Sequence, residues 1–120
     1  MEKSGSNKYR DLEERTFRFA RDCRDFLKTV PRTPANIEYG KQLIRSSGSQ
    51  AANYIEANES LSKRDFAFRI KICRKEAKES DLWLNLLDIT SESHVARRDE
   101  LINEVGQLRK IFTAILNKST

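Results

Sequence analysis

The feature that most constrains the fold is a four-and-three spacing of apolar residues, which recurs in four separate stretches of the chain. Steps of four and three place side chains on one face of an α-helix, whereas strands require strict alternation. Only 4 Gly and 2 Pro occur in 120 residues, too few for the closely spaced turns of a β-sandwich. Phe17, Ala20 and Leu27 are expected to widen the core-facing band of the first helix. The residues that define this band are Leu12, Thr16, Phe19, Cys23, Phe26 and Val30.

The second helix is predicted between Pro34 and Asn58, with Thr33 as its cap. Proline is favoured at the first helical position, and Thr accepts hydrogen bonds from the free amides of a helix start. Pro31 ends the first helix because the residue before a proline avoids helical geometry. The small inner residues of the second helix indicate close packing against a neighbouring helix. The expected inward-facing residues are Ile37, Gly40, Ile44, Ser47, Ala51, Tyr54 and Asn58, flanked by Leu43, Gly48, Ala52 and Ile55.

Ser62 is the candidate cap of a third helix. Leu82, Trp83 and Leu86 make the end of that helix apolar on nearly all sides, so we expect more than one neighbour to cover it. The polar segment 88–96 is predicted to be a loop. The expected core positions of the third helix are Phe66, Ile70, Cys73, Ala77, Ser80, Leu84 and Leu87. Those of the fourth helix are Leu101, Val105, Leu108, Phe112 and Ile115.

Four amphipathic helices with short connections predict an all-α, up-and-down antiparallel four-helix bundle. The bundle domain is expected to span residues 9–120, preceded by a polar lead-in, residues 1–8, that is predicted to be disordered. No apolar run approaches the roughly 20 residues that cross a bilayer, and no signal peptide is recognisable. We therefore expect a cytoplasmic protein without a membrane partner.

The sequence offers little chemistry for catalysis. Its one histidine, His94, falls in the predicted loop, and the carboxylate pairs at helical spacing lack the inward-facing histidines of a di-metal bundle. Cys23 and Cys73 lie on predicted core faces, where a thiol acts as a small hydrophobe. We therefore expect no enzymatic activity, no metal and no cofactor.

A surplus of positive charge supplies the functional hypothesis. The chain has 23 Lys and Arg against 18 Asp and Glu, a net charge of +5, which favours a polyanionic partner. Cations at steps of seven, four and three along the third helix are suited to sequence-independent contacts with phosphates. A looser set follows the first helix. The candidate nucleic-acid-binding residues are Arg64, Lys71, Lys75 and Lys78, with Arg18 and Arg21 as the second choice.

Other interpretations stay open. The same lysines suit a solvated face whose charges pair within the helix, such as Lys75 with Glu79, and the bundle would then be a protein-interaction scaffold with no nucleic-acid role. Most aromatic residues lie on or near the predicted core faces, so no platform for unstacked bases stands out. We assign Asn53, Glu56 and Glu76 to hydrogen bonds between helices or subunits. A site for a nucleotide or small anion at these three residues is the remaining alternative.

The second and third helices also resemble a known family. Residues 45–57 read RSSGSQAANYIEA and are similar to the signature of the small bacterial "four helix bundle protein" family. The usual Asn-Ile-Ala-Glu-Gly core of that family maps onto residues 53–57, where this chain has Asn-Tyr-Ile-Glu-Ala. Residues 75–80 and 83–87 resemble the family's third helix, so the resemblance extends over nearly the whole chain from Tyr9.

The family includes proteins encoded in intervening sequences of large-subunit ribosomal RNA genes and the accessory variability protein of diversity-generating retroelements. The resemblance implies a four-helix protomer assembled into a ring-shaped homo-oligomer, expected to be a homopentamer. It also implies a non-enzymatic role in binding RNA or DNA. For the retroelement members it implies a reverse transcriptase as the protein partner.

Overall fold

The computed structural model describes the backbone of residues 2–119 and the side chains of residues 11–118. This part of the chain forms four α-helices and contains no strand. Helix α2 packs against both α1 and α3, α3 packs against α4, and α1 meets α4 in the sparsest of the four interfaces. The predicted up-and-down four-helix bundle is confirmed. The helices are α1 (Glu2–Leu27), α2 (Pro34–Asn58), α3 (Lys63–Leu86) and α4 (Glu92–Ser119).

Two of the helix starts are those expected from the sequence. The Thr33 hydroxyl accepts a hydrogen bond from the Asn36 amide at 3.1 Å, and the Ser62 hydroxyl accepts one from the Asp65 amide at 3.1 Å. Each satisfies an amide that has no partner within the helix. The disordered lead-in predicted for residues 1–8 overlaps the start of α1 at Glu2, but the side chains of these residues lie outside the described part of the chain, so this domain boundary stays a prediction.

The loop predicted over residues 88–96 was too long, because α4 begins at Glu92. The Ser91 hydroxyl accepts a hydrogen bond from the His94 amide at 3.2 Å and so caps this helix. The first turn is polar because it is largely exposed, and apolar spacing alone did not detect it. His94 is therefore a half-buried residue of α4, with its ring edge-on to Phe26 at 6.4 Å between ring centroids.

Three of the four predicted core faces are confirmed. The band that defines the first helix is buried along its whole length, as are the predicted positions of α3 from Ile70 to Leu87 and of α4 from Leu101 to Phe112. Phe17 was expected to widen the band of α1, but 59% of it is exposed.

The predicted inward face of α2 is wrong. At four of its seven positions the buried residue lies one place earlier than predicted, a rotation of about 100° around the helix axis. Of the seven predicted inward-facing residues only Gly40, Ser47 and Tyr54 are buried, together with the flanking Leu43, whereas Ile37 and Ile44 are exposed. Polar side chains take the inner positions instead. The buried residues of α2 are Asn36, Gly40, Leu43, Ser46, Ser47, Gln50, Tyr54 and Ala57.

Hydrogen bonds explain why polar side chains of α2 point inward. The Asn36 amide nitrogen donates to the carbonyl oxygens of Pro31 at 3.0 Å and Asp88 at 2.9 Å, and its oxygen accepts from the Asp88 amide at 2.7 Å. This single side chain ties the start of α2 to the end of α3. A buried polar group that is fully bonded carries little penalty.

A second polar contact sets the register between α2 and α3 near the middle of the bundle. The Ser46 and Ser80 hydroxyl oxygens lie 2.8 Å apart, and the Gln50 side-chain amide donates to Ser80 at 3.0 Å. The Cys73 thiol donates to the Gln50 carbonyl at 3.5 Å. Because these contacts fix which side of α3 faces α2, they also fix which side of α3 faces solvent.

Candidate nucleic-acid interface

The outward face of α3 carries exposed side chains at steps of three and four residues. At about 1.5 Å per residue, these positions extend over about 33 Å of helix. Four are cationic, three are apolar and none is acidic. We call this set the α3 row. Its members are Arg64, Phe68, Lys71, Lys75, Lys78, Leu82 and Leu86.

Most cations of the α3 row have no acidic partner. Arg64, Lys71 and Lys78 form no ion pair with any residue whose side chain is described. Lys75 is the exception, with its Nζ atom 4.0 Å from an oxygen of Glu76. Three of the four cations of the row therefore present positive charge that no described acid neutralises.

Two of the four acids of α3 are engaged by α2. Arg45 of α2 contacts Glu79 at 3.0 Å and Glu76 at 3.5 Å. Glu79 is thereby drawn away from Lys75, and the pairing of these two residues that the solvated-face interpretation requires is not formed. Arg45 lies outside the row but favours its positive charge, because Arg45 binds two acids that would otherwise be able to pair with the cations of the row.

Burial raises the pKa of the Glu76 carboxyl, and the neighbouring charge of Glu79 raises it further, while Arg45 and Lys75 oppose the shift. One of its oxygens is buried without a hydrogen bond. Desolvation disfavours a charged carboxylate. The ion pair with Arg45 therefore offsets only part of the cost of desolvating the charged Glu76 carboxylate.

The second-choice residues on α1 are placed differently. Arg18 pairs with Glu14 at 3.2 Å, and Arg21 pairs with Asp22 at 3.4 Å. In the described residues, no Cα atom of α1 lies within 8 Å of a Cα atom of α3. The structure thus brings the four α3 cations together and leaves the α1 cations apart from them, each beside an acid.

Sequence reasoning missed one residue of this surface, Arg74, and did not establish the exposure of another, Phe68. Arg74 lines an open cleft of about 350 Å³ together with Lys71, Lys75 and Lys78, although its half-buried position lies off the row. Phe68 is 59% exposed. Its position between two cations is visible in the sequence, but whether an aromatic ring faces solvent depends on how α3 packs.

The three polar residues assigned to helix or subunit contacts have different surroundings. Arg69 of α3 donates to the Asn53 side-chain oxygen at 3.0 Å, which joins α2 and α3. Glu76 joins the same two helices through Arg45. The exposed Glu56 carboxylate has no hydrogen bond or ion pair among the described residues, so its expected role between subunits stays a prediction.

Other kinds of site find little support in the described residues. Within them, no group of three or more His, Cys, Asp or Glu side chains is arranged to hold a metal ion. Burial raises the pKa of the Cys73 thiol to about 12 and that of Cys23 higher still, so both thiols stay protonated at neutral pH. No helix among the residues searched has the length and apolar character to cross a membrane.

Comparison with known proteins identifies the family. The model of the 23S rRNA-intervening sequence protein family matches residues 10–114. The chain belongs to this family. A solved structure from Bacteroides thetaiotaomicron VPI-5482, a protein of unknown function from the S23 ribosomal protein family, is similar with a TM-score of 0.76 and 25% identity, over 88% of this chain and 97% of that one. No curated protein matches the chain.

Proposed function

We propose that this member of the 23S rRNA-intervening sequence protein family is a non-enzymatic, cytoplasmic homo-oligomer that binds RNA or DNA through the α3 row. The contacts are to phosphates and do not read the bases. The observation that carries this proposal is the absence of ion pairs at Arg64, Lys71 and Lys78 among the described residues.

Unpaired cations favour phosphate binding for a simple reason. A lysine that already pairs with a carboxylate must give up that contact before it binds a phosphate, whereas a free lysine does not. Phosphate contacts also release counterions, which gives salt-dependent and sequence-independent affinity. Four cations in one row correspond to a slope of about −2.8 to −3.6 in log K against log salt, at roughly 0.7 to 0.9 per contact.

The test is fluorescence polarisation with short labelled RNA and DNA at low and high salt. The row variant carries Arg64→Gln, Lys71→Gln and Lys78→Gln, which removes the three cations that have no acidic partner among the described residues. The matched control removes three α1 cations that each have an acidic partner, with Arg18→Gln, Arg21→Gln and Arg24→Gln. We expect the row variant to lose at least tenfold in affinity and the control to lose far less. No binding by the wild type at low salt would end the proposal.

Self-association rests on a different surface. The isoleucines of α2 that were predicted to face the core are exposed, and Ile44 is 53% exposed. Ile37 and Ile44 line an open groove of about 250 Å³ with Leu27 and Val30. Soluble monomers rarely expose large contiguous apolar surface, so a second copy of the chain is the proposed cover. Leu82 and Leu86 at the end of the α3 row are also uncovered.

The oligomer is tested by multi-angle light scattering. A homopentamer is the expected size, on the resemblance alone. Ile44→Lys should shift the mass toward the monomer and leave the helical circular-dichroism spectrum unchanged, while Gln42→Lys, at an exposed position of the same helix outside the groove, serves as the control. A wild type that is monomeric at all concentrations would contradict the assembly.

The scaffold interpretation gives a different result. A nuclease-treated pull-down that retains a protein partner, from a chain that binds no nucleic acid, would favour it. A reverse transcriptase is the partner that the resemblance names, and it would be sought in the same pull-down.

A further inference from the structure

An exposed aromatic side chain lies among the unpaired cations of the α3 row. Phe68 is 59% exposed, and Arg64 and Lys71 lie about one helical turn to either side of it. The guanidinium carbon of Arg69 lies 6.0 Å from the centroid of the Phe68 ring. Arg69 is itself fixed by the hydrogen bond that it donates to Asn53 at 3.0 Å, so the cation beside the ring is held in place.

We propose that the α3 row prefers single-stranded over duplex nucleic acid, with one unpaired base stacked on the Phe68 ring. Arg64 and Lys71 contact the phosphates that flank this base, and Lys75 and Lys78 contact the phosphates that follow. The inference rests on the proposed function and adds the class of nucleic acid that is bound.

The physical reason is the accessibility of base faces. Bases in a duplex are stacked on each other, so a ring on the convex surface of a helix reaches only the backbone, whereas a single strand can turn a base outward onto an aromatic face. Along the axis of α3, the position of Phe68 is about 6 Å from that of Arg64 and about 4.5 Å from that of Lys71, at roughly 1.5 Å of rise per residue. A cation on each side of an aromatic ring matches a base with a phosphate on each side.

The chain contains its own comparison for this site. Phe17 on α1 is exposed to the same extent, 59%, and the guanidinium carbon of Arg21 lies 6.0 Å from its ring centroid. Arg21, however, also pairs with Asp22, and Arg18 pairs with Glu14. Phe17 therefore has the ring and the stacked arginine, but the arginines next to it that the structure describes each have an acidic partner.

The experiment compares Phe68→Leu with Phe17→Leu, since leucine keeps an apolar side chain and removes the aromatic face. The probes are a single-stranded RNA and a single-stranded DNA of equal length, the blunt duplex of each, and an abasic oligonucleotide with the same number of phosphates. Affinities are measured by fluorescence polarisation across a salt series, and circular dichroism checks that both variants keep the wild-type fold.

We expect the wild type to bind the single strands more tightly than the duplexes and the abasic strand. Phe68→Leu should weaken single-strand binding about fivefold or more, in the range that loss of one base–aromatic stack produces. The salt slope should not change, because no phosphate contact is lost. Duplex and abasic binding should stay within about twofold, and Phe17→Leu should match the wild type on every probe. The RNA and DNA arms show which sugar the row prefers.

A wild type that prefers duplex, or a Phe68→Leu variant that loses nothing on single strands, would overturn this inference and leave the proposed function standing. Equal losses for Phe17→Leu and Phe68→Leu would also overturn it, because the unpaired cations around Phe68 would then have no part in the effect. No binding of any probe by the wild type would overturn the proposed function as well.

Discussion

The outward faces of α2 and α3 differ in a way that neither helix alone explains. Helix α2 exposes Ile37 and Ile44 and buries Asn36 and Gln50, whereas α3 exposes cations and buries the apolar residues that its spacing predicts. On α2, hydrogen bonds bring polar groups inside and so leave apolar residues outside. On α3, ion pairs to α2 withdraw acids and so leave cations free. Two neighbouring helices thereby present two surfaces of different chemistry, one suited to a second copy and one suited to a polyanion.

The largest effect is expected at Asn36, a polar residue on the observed inward face of α2. Asn36→Ala removes the three side-chain hydrogen bonds to Pro31 and Asp88, and the partly buried backbone groups of these two residues lose that partner. We expect it to lower the free energy of unfolding by about 2–4 kcal/mol. The adjacent Ile37→Ala should cost less than about 1 kcal/mol in the monomer, where the side chain is exposed. Urea unfolding of both variants decides the comparison, and a larger cost for Ile37→Ala would restore the face predicted from apolar spacing.

A smaller effect is expected from the ion pairs that keep the α3 row free. Arg45→Gln releases Glu79, which can then pair with Lys75 one turn away on the same helix. Since such pairs contribute about 0.2–0.5 kcal/mol, nucleic-acid affinity should fall about twofold although Arg45 is outside the row. Lys41→Gln removes the same charge from α2 but breaks only a contact with Glu38. Equal affinities of the two variants in polarisation titrations would show that Arg45 does not act through the row.

The smallest effect concerns pH. Because the pKa of Glu76 is raised in the folded protein, chiefly by burial, the folded state binds the proton more tightly than the unfolded state. Stability therefore increases as the pH falls through the raised pKa toward the ordinary glutamate value, and decreases as the pH rises. Chemical unfolding at several pH values should show this trend in the wild type relative to Glu76→Gln, with Glu56→Gln as the control for removing one glutamate charge. The opposite trend would mean that Arg45 outweighs burial.

The sequence was sufficient for most of the fold and for part of the candidate site. Core faces of α1, α3 and α4 follow from apolar spacing, and the caps Thr33 and Ser62 follow from local chemistry. The face of α2 could not be predicted in the same way, because the pattern through Ile37 and the pattern through Asn36 differ by one residue. The choice depends on Asp88, which is 52 residues away and reaches Asn36 only in the folded chain.

The positions of the row cations could be read from helical spacing, but their freedom from acids could not. Lys75 and Glu79 stand four residues apart, a spacing that by itself favours a pair. Glu79 instead contacts Arg45, 34 residues earlier in the chain, because the polar contacts between α2 and α3 set that register. The exposure of Phe68 has the same origin in tertiary packing.

The dependence of nucleic-acid affinity on salt tests the central claim most directly. The α3 row variant and the α1 control variant each lack three cations of the wild type. All three proteins are titrated over one salt series. Loss of three phosphate contacts should make the slope of log K against log salt shallower by about 2–3 in the row variant, while the α1 variant keeps a slope close to that of the wild type. Equal slopes for the two variants would contradict the account, because binding would then follow net charge and not the unpaired cations of α3.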